Sequence, residues 1–203
     1  MIINENRQSE NLNLVSSNEA GHKGDIAYID PVPRYLDHIS TIVDIESIKQ
    51  SGLNVLIDPM YGSGAGYFTN ILSGGSTKIT EFHNQMDSEF PSISQPEPIA
   101  RNLKILLDSV PKLGADAGLA TDGDADRLGV VNEHGIFLTS LQSFALLCLY
   151  QLEILQNRGP LVKSITMTNM VDKLGAIYGV PVFDTPVGFK YLCPIMMKEN
   201  ALL

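Results

Sequence analysis

Basic residues are scarce in this chain. Fourteen Lys and Arg stand against twenty-three Asp and Glu, for a formal net charge of −9. Such a balance repels a nucleic-acid backbone and an anionic membrane surface, so neither is an expected partner. An anionic small molecule stays admissible where the site supplies its own positive charge through a metal ion, Arg, Lys or a helix N-terminus. Cysteine is scarce as well. Cys148 and Cys193 lie far apart in apolar, helical-looking stretches and outside any C-x-x-C pair, and both read as reduced core residues. Long apolar runs are missing too: the longest, Phe144 to Tyr150, falls far below the roughly 20 residues that a membrane helix needs. Residues 1–24, rich in Asn, Ser and Glu, contain no apolar segment suited to a signal peptide and no helical or strand periodicity. They read as a flexible lead-in, and a cytoplasmic location is expected.

What the chain does have is material for a core. It holds 203 residues of which 44% are hydrophobic, enough for one large domain or two modest ones. Tyr35, Leu36, Ile39, Ile42, Val43 and Ile48 recur at mostly three- and four-residue intervals, which predicts an amphipathic connector helix entered after Pro31 and Pro33, within residues 25–50.

From residue 51 the texture becomes short apolar runs alternating with helical segments. Strands are expected at Asn54 to Asp58, Lys78 to Phe82 and Ala115 to Ala120, with helices at Gly64 to Leu72 and Ile99 to Val110. Leu128 to Asn132 and Gly135 to Leu138 read as a hairpin around Glu133-His134, followed by a long helix from about Thr139 to Gln156. The alternation implies a layered α/β domain over residues 51–157 with a mixed, mainly parallel sheet. After Asn157-Arg-Gly-Pro160 a second series begins: strand Leu161 to Met167, helix Asn169 to Tyr178, strand Pro181 to Asp184 and helix Val187 to Lys198. Two strands are too few to bury both faces of a parallel sheet, so residues 158–203 read as a truncated second α/β domain.

The sharpest feature is Thr121-Asp-Gly-Asp-Ala-Asp-Arg127, three carboxylates at alternate positions directly after an apolar strand. Uncompensated, Asp122, Asp124 and Asp126 would repel one another, and a divalent cation held by oxygen ligands is the economical remedy. Gly123 and Ala125 keep the intervening positions small, so the backbone can curl and the three carboxylates converge. An acidic surface turn is the bland alternative, disfavoured by the strict alternation beside an Arg. An EF-hand loop is the rival metal reading, and Glu133 does occupy its twelfth position. Arg127, however, stands where that loop needs Gly, and strands rather than helices flank it. A hard cation on three protein oxygens keeps open positions for a phosphate oxygen, and Arg127 can hold another by a charge-assisted hydrogen bond. Phosphoryl transfer is the natural chemistry for such a loop.

TDGDADR closely resembles the metal-binding loop of the phosphohexomutases, the phosphoglucomutase/phosphomannomutase family. The resemblance implies Mg²⁺ held by Asp122, Asp124 and Asp126 in the second of four domains, with Arg127 beside a phosphoserine contributed by the first. A second string, Thr185-Pro-Val-Gly-Phe-Lys190, resembles the loop of domain three that faces the sugar phosphate. It implies that Thr185 and Gly188 line the sugar-phosphate pocket and that Lys190 contacts sugar hydroxyls or assists proton transfer. Taken alone, a Thr-Pro turn opening a helix is commonly only a capping device.

Two weaker matches are Asp58-Pro-Met-Tyr-Gly-Ser-Gly-Ala-Gly66, similar to the first strand-to-helix turn of domain two, and Phe90 to Pro98, similar to the family's FP…PEP stretch. The glycines fail a dinucleotide fingerprint, since Tyr67 stands where the third Gly is needed. Gln95 departs from the His expected in many relatives, and this stretch is assigned no role.

No Ser-His-Asn-Pro loop is found; Ser16 and Ser17 lack its flanking pattern, and no Gly-Glu-x-Ser-Gly loop follows Lys190. The resemblance therefore implies the end of domain one, all of domain two and the start of domain three of a mutase acting on a hexose phosphate. Such a piece is expected to be incomplete as an enzyme, with the missing portions as a partner chain. The alternative is a non-catalytic binder of Mg²⁺ or sugar phosphate.

Overall fold

A computed structural model describes residues 29–203. The lead-in expected over residues 1–24, including Ser16 and Ser17, lies outside these residues. The chain divides into two compact units, the second running from Ile45 to Leu203. In the first unit, helix α1 (Val32–Ile42) carries a proline in its first turn, where the missing N–H costs nothing. It ends where Val43 turns extended. The single connector helix expected through Ile48 is thus two helices, because the chain leaves helical geometry at Val43 before α2 (Ile45–Lys49) begins.

Five strands form the main sheet of the second unit: β1 (Asn54–Asp58), β2 (Lys78–Glu81), β3 (Ala117–Thr121), β4 (Leu128–Asn132) and β5 (Phe137–Leu138). Their order is β2-β1-β3-β4-β5. β1 pairs parallel with both β2 and β3, with Val55 opposite Ala117 and Asp58 opposite Ala120. β4 runs antiparallel to β3 and β5 antiparallel to β4, because residues 122–127 and the Glu133-His134 turn are each too short for a crossover.

Helix α3 (Tyr67–Leu72) links β1 to β2, and α4 (Lys104–Lys112) precedes β3 after a single 3₁₀ turn, Ala100–Asn102. The expected helix from Ile99 is therefore split in two. α4 buries Leu106 and Val110 in a core with Leu56, Leu103, Ala120 and Val131. That core fixes the strand ends from which the functional loops leave.

Helix α5 (Ser140–Leu149) opens with a reciprocal capping box: the Thr139 side chain accepts from the Gln142 N–H at 3.3 Å, and the Gln142 side chain accepts from the Thr139 N–H at 2.9 Å. It continues as a π-helical turn, Tyr150–Ile154, so the long helix expected here widens in its last turns. Cys148 and Leu152 are fully buried, in a second core with Leu161, Val171, Leu174 and Val180. α5 thus packs with the elements that follow it, although it precedes the 157/158 boundary drawn from the sequence.

Those elements are β6 (Leu161–Ser164), α6 (Met170–Tyr178), β7 (Val182–Thr185) and α7 (Phe189–Glu199), with β6 and β7 parallel. The chain's last residues add hydrogen bonds to β6, the Val162 N–H donating to the Leu203 carbonyl at 2.7 Å. Lys163, 4% exposed, is held by Asp184 at 2.5 Å and Asp172 at 3.3 Å. Cys193 departs from the expected core position. It is exposed, because α7 buries none of its residues, and helical apolar spacing leads to burial only where another element covers the face.

Candidate functional site

The carboxylate loop leaves the C-terminal end of β3, the end at which α/β sheets bind ligands. Asp122 is the anchor at 1% exposure, whereas Asp124 and Asp126 are exposed. The Arg127 backbone N–H donates to Asp122 Oδ1 at 3.0 Å, and Arg127 Nε donates to Oδ2 at 2.5 Å. Ala125 adopts a left-handed φ of 61°, the backbone reversal that returns the chain toward Asp122.

Neighbouring segments brace this loop. The Ser63 N–H, from the turn after β1, donates to the Gly123 carbonyl at 2.9 Å, and the Gly123 N–H donates to the Pro96 carbonyl at 3.2 Å. A Cβ on Gly62 would stand 2.6 Å from the Gly123 carbonyl oxygen, so only glycine admits this contact. The glycines of the β1 turn, read from the sequence as structural, thus set how closely it approaches the carboxylates.

One oxygen from each of Asp122, Asp124 and Asp126 can be chosen so that all three lie within 4.8 Å of one another. Two oxygens on opposite sides of an octahedral Mg²⁺ stand about 4.2 Å apart, from metal–oxygen distances of about 2.1 Å. Adjacent oxygens on such an ion stand about 3.0 Å apart, so rotation of the two exposed side chains, Asp124 and Asp126, is what closes the set on a hard cation. Both Asp122 oxygens are engaged by Arg127, yet each keeps lone-pair capacity for a metal.

The electrostatics point the same way. Burial works to raise the Asp122 carboxyl, but its hydrogen bonds from Arg127 outweigh this and hold it below its ordinary value. Asp126 is pushed above its ordinary value, first by the charge of Asp124. That repulsion is what a bound cation would relieve. A hard, oxygen-seeking divalent ion fits these residues.

Glu97 joins the site without having been picked out from the sequence. Its Oε1 lies 3.4 Å from Arg127 Nη1, and with Gln95, Asp122, Asp124 and Arg127 it lines an open cavity of about 320 Å³. The signal available was the rigid Pro96-Glu97-Pro98 sequence, but a proline-flanked Glu carries no partner information until the fold sets it beside Arg127.

Thr185, Gly188 and Lys190 belong to the second α/β group, at the end of β7, at the N-cap of α7 and in the first turn of α7. Thr185 is 1% exposed, and its hydroxyl donates to the Pro186 carbonyl at 2.9 Å. Gly188, at φ 123°, is the N-cap of α7. Lys190 Nζ stands 4.9 Å from the centroid of the Tyr191 ring. The structure brings Asp122, Asp124, Asp126 and Arg127 together in one loop, while the Thr185 loop belongs to a separate group.

A parallel-centred α/β sheet with a carboxylate loop at its strand ends defines a class of α/β/α proteins equipped for a hard cation. The sequence profile of "Phosphoglucomutase/phosphomannomutase, alpha/beta/alpha domain II" matches residues 33–135, and that of domain III matches residues 140–203. The chain belongs to the phosphoglucomutase/phosphomannomutase family, the phosphohexomutases. It is 30% identical over 203 residues to the phosphoglucomutase/phosphomannomutase of Thermococcus kodakarensis, covering 100% of this chain and 43% of that protein.

A crystal structure assigned as a phosphomannomutase from Thermus thermophilus superposes with a TM-score of 0.77 at 31% identity, covering 85% of this chain and 40% of the other. The N-acetylphosphoglucosamine mutase of Aspergillus fumigatus, solved with GlcNAc-6P and magnesium, shares the fold at a TM-score of 0.53 and 14% identity, over 76% of this chain and 35% of that one. The chain therefore spans less than half the length of these relatives. No helix among the described residues is long and apolar enough to cross a membrane.

Proposed function

We propose that this chain supplies the Mg²⁺-binding, charge-stabilising part of a phosphohexomutase, which moves a phosphoryl group between the 1- and 6-positions of a hexose phosphate. The observation that carries the reading is the convergence of Asp122, Asp124 and Asp126 on one point, with Arg127 locked beside them. Membership of the family adds support, as does the magnesium bound in the Aspergillus relative.

Asp122, Asp124 and Asp126 would hold the ion. When bound, it supplies Lewis-acid stabilisation of charge on a transferring phosphoryl oxygen. Arg127 donates to phosphoryl oxygens with the N–H groups left free by Asp122, and Asp122 fixes the direction of its guanidinium. Glu97 restrains the far end of that guanidinium. Lys190, on an exposed first turn of α7, is assigned to sugar hydroxyls and to moving a proton there. Gly188 gives the loop its close backbone approach to that substrate. Thr185 shapes the same loop, since its hydroxyl is spent on Pro186. We draw the boundary between the two α/β domains before α5 rather than at 157/158, because Cys148 and Leu152 pack into the second core.

Turnover by these 203 residues alone is not expected, because the phosphoryl-carrying serine implied by the family resemblance has no match among them. A chimera tests the assignment. The stretch of the Thermococcus relative aligned with this chain is replaced by it, and Mg²⁺-dependent conversion of glucose 1-phosphate is measured. Retained activity that Asp124→Ala abolishes supports the assignment. A folded chimera that binds substrate but is inert with Mg²⁺ would make this chain a non-catalytic binder, the second reading the sequence allows.

A further inference from the structure

A second polar cavity, of about 200 Å³, lies among the segments following β2 and preceding α4. His83, Ser92, Ser94, Arg101, Asn102 and Lys104 line it, and none of its lining residues is a carboxylate. In a chain of net charge −9, a cavity offering two permanent cations, an imidazole and two hydroxyls is selective in its charge. Nothing in the family resemblance assigns it a role. We propose that it binds a small oxyanion of the phosphate class, separately from the carboxylate loop.

Three observations converge on that ligand. First, His83 is built in. Its Nδ1–H donates to Oδ1 of the buried Asp58 at 2.9 Å, and its ring stands 4.6 Å from that of Tyr61, so it is a fixed wall of the cavity, while the donors for an anion come from Arg101, Lys104 and the two serines. Second, the first turn of α4 lines the cavity through Lys104 and Ile105, and this nine-residue helix starts with no side-chain cap on its amides. An uncapped helix N-terminus favours an anion through its N–H groups and its dipole.

Third, both permanent cations keep donors to spare. Arg101 gives one N–H to Gln95 Oε1 at 2.8 Å and retains four of its five donors. Lys104 pairs with Asp108 at 2.8 Å, but both side chains are exposed, and such a pair exchanges readily for a ligand.

Size narrows the class. The volume falls below the roughly 300 Å³ at which pockets for drug-sized ligands begin, so a phosphate or a compact phosphate monoester fits better than a nucleotide. Gln95, the partner of Arg101, also lines the cavity beside Arg127, so the two sites are neighbours linked through one side chain.

The test is amide-resolved NMR of the full 203-residue chain, without divalent metal, titrated with inorganic phosphate against chloride of equal ionic strength. Saturable shifts at the amides of Ser92, Ser94, Lys104 and Ile105 are expected. Affinity should fall at least ~10-fold in the Arg101→Gln/Lys104→Gln variant, the scale of a lost charge-assisted hydrogen bond. The single Lys104→Gln change touches only an exposed side chain and should itself weaken binding without altering the rest of the spectrum. Glucose 6-phosphate titrated in parallel identifies the source. Tighter binding than phosphate points to a monoester, and equal binding to the free ion. Shifts that grow linearly without saturation, that persist in both variants, or that appear only at Asp122 to Arg127 would overturn the proposal.

Discussion

Arg127 grips Asp122 from two sides, through its backbone N–H on Oδ1 and its Nε on Oδ2. The contact makes Asp122 both a structural anchor and a proposed metal ligand, whereas Asp124 and Asp126 reach out from the same loop with exposed side chains. One loop therefore contains two kinds of carboxylate, and substitution should separate them.

Asp122→Ala should lower folding stability by about 2 kcal/mol, the scale of a lost charge-assisted hydrogen bond at a buried site, and should also abolish metal binding. Asp124→Ala should abolish metal binding while shifting stability by less than about 0.5 kcal/mol, as for an exposed position. Urea denaturation of both variants checks the split. Equal destabilisation would show that the anchoring role is not confined to Asp122.

Gly62→Ala should damage the carboxylate loop from outside it. The new methyl would stand 2.6 Å from the Gly123 carbonyl oxygen and 2.8 Å from that of Asp122, and backbone cannot move aside as a flexible side chain does. A loss of about 1–3 kcal/mol is expected, together with weakened Mg²⁺ binding. Thermal melts and a metal titration of the variant are the measurements.

The buried Lys163 offers a pH test. Its hydrogen bond to Asp184 raises its pKa above the ordinary value, helped by Asp172 and opposed by burial. A raised folded-state pKa gives stability that is fully present below the unfolded value of 10.5 and is lost as pH rises through the folded value. Lys163→Met should cost about 1–2 kcal/mol at neutral pH, less than breaking a fully buried pair because Asp172 and Asp184 can rehydrate. In urea melts of both proteins, the gap should hold from about pH 7 to 10 and narrow above 10.5.

Much of this architecture could be read from local chemistry. Strand β1, with Val55, Leu56 and Ile57 buried in a row, and strand β4 matched their apolar runs to the residue, while β5 is confined to Phe137–Leu138 of the expected Gly135 to Leu138. The carboxylate loop was legible because alternating Asp residues have few other uses. Non-local features were not. The break at Val43, the partnership of Glu97 with Arg127 and the packing of α5 into the second core all depend on what lies across space. Cys193 shows the same point in reverse, since its apolar spacing matches that of Cys148 but no element among the described residues covers it.

The proposed function stands on Mg²⁺ binding by the carboxylate loop. Calorimetry of the wild-type chain and of Asp124→Ala in low-salt buffer tests it most directly. One Mg²⁺ per chain is expected to bind the wild type, and none measurably to bind Asp124→Ala. No binding to the wild type, or binding that Asp124→Ala leaves unchanged, would contradict it.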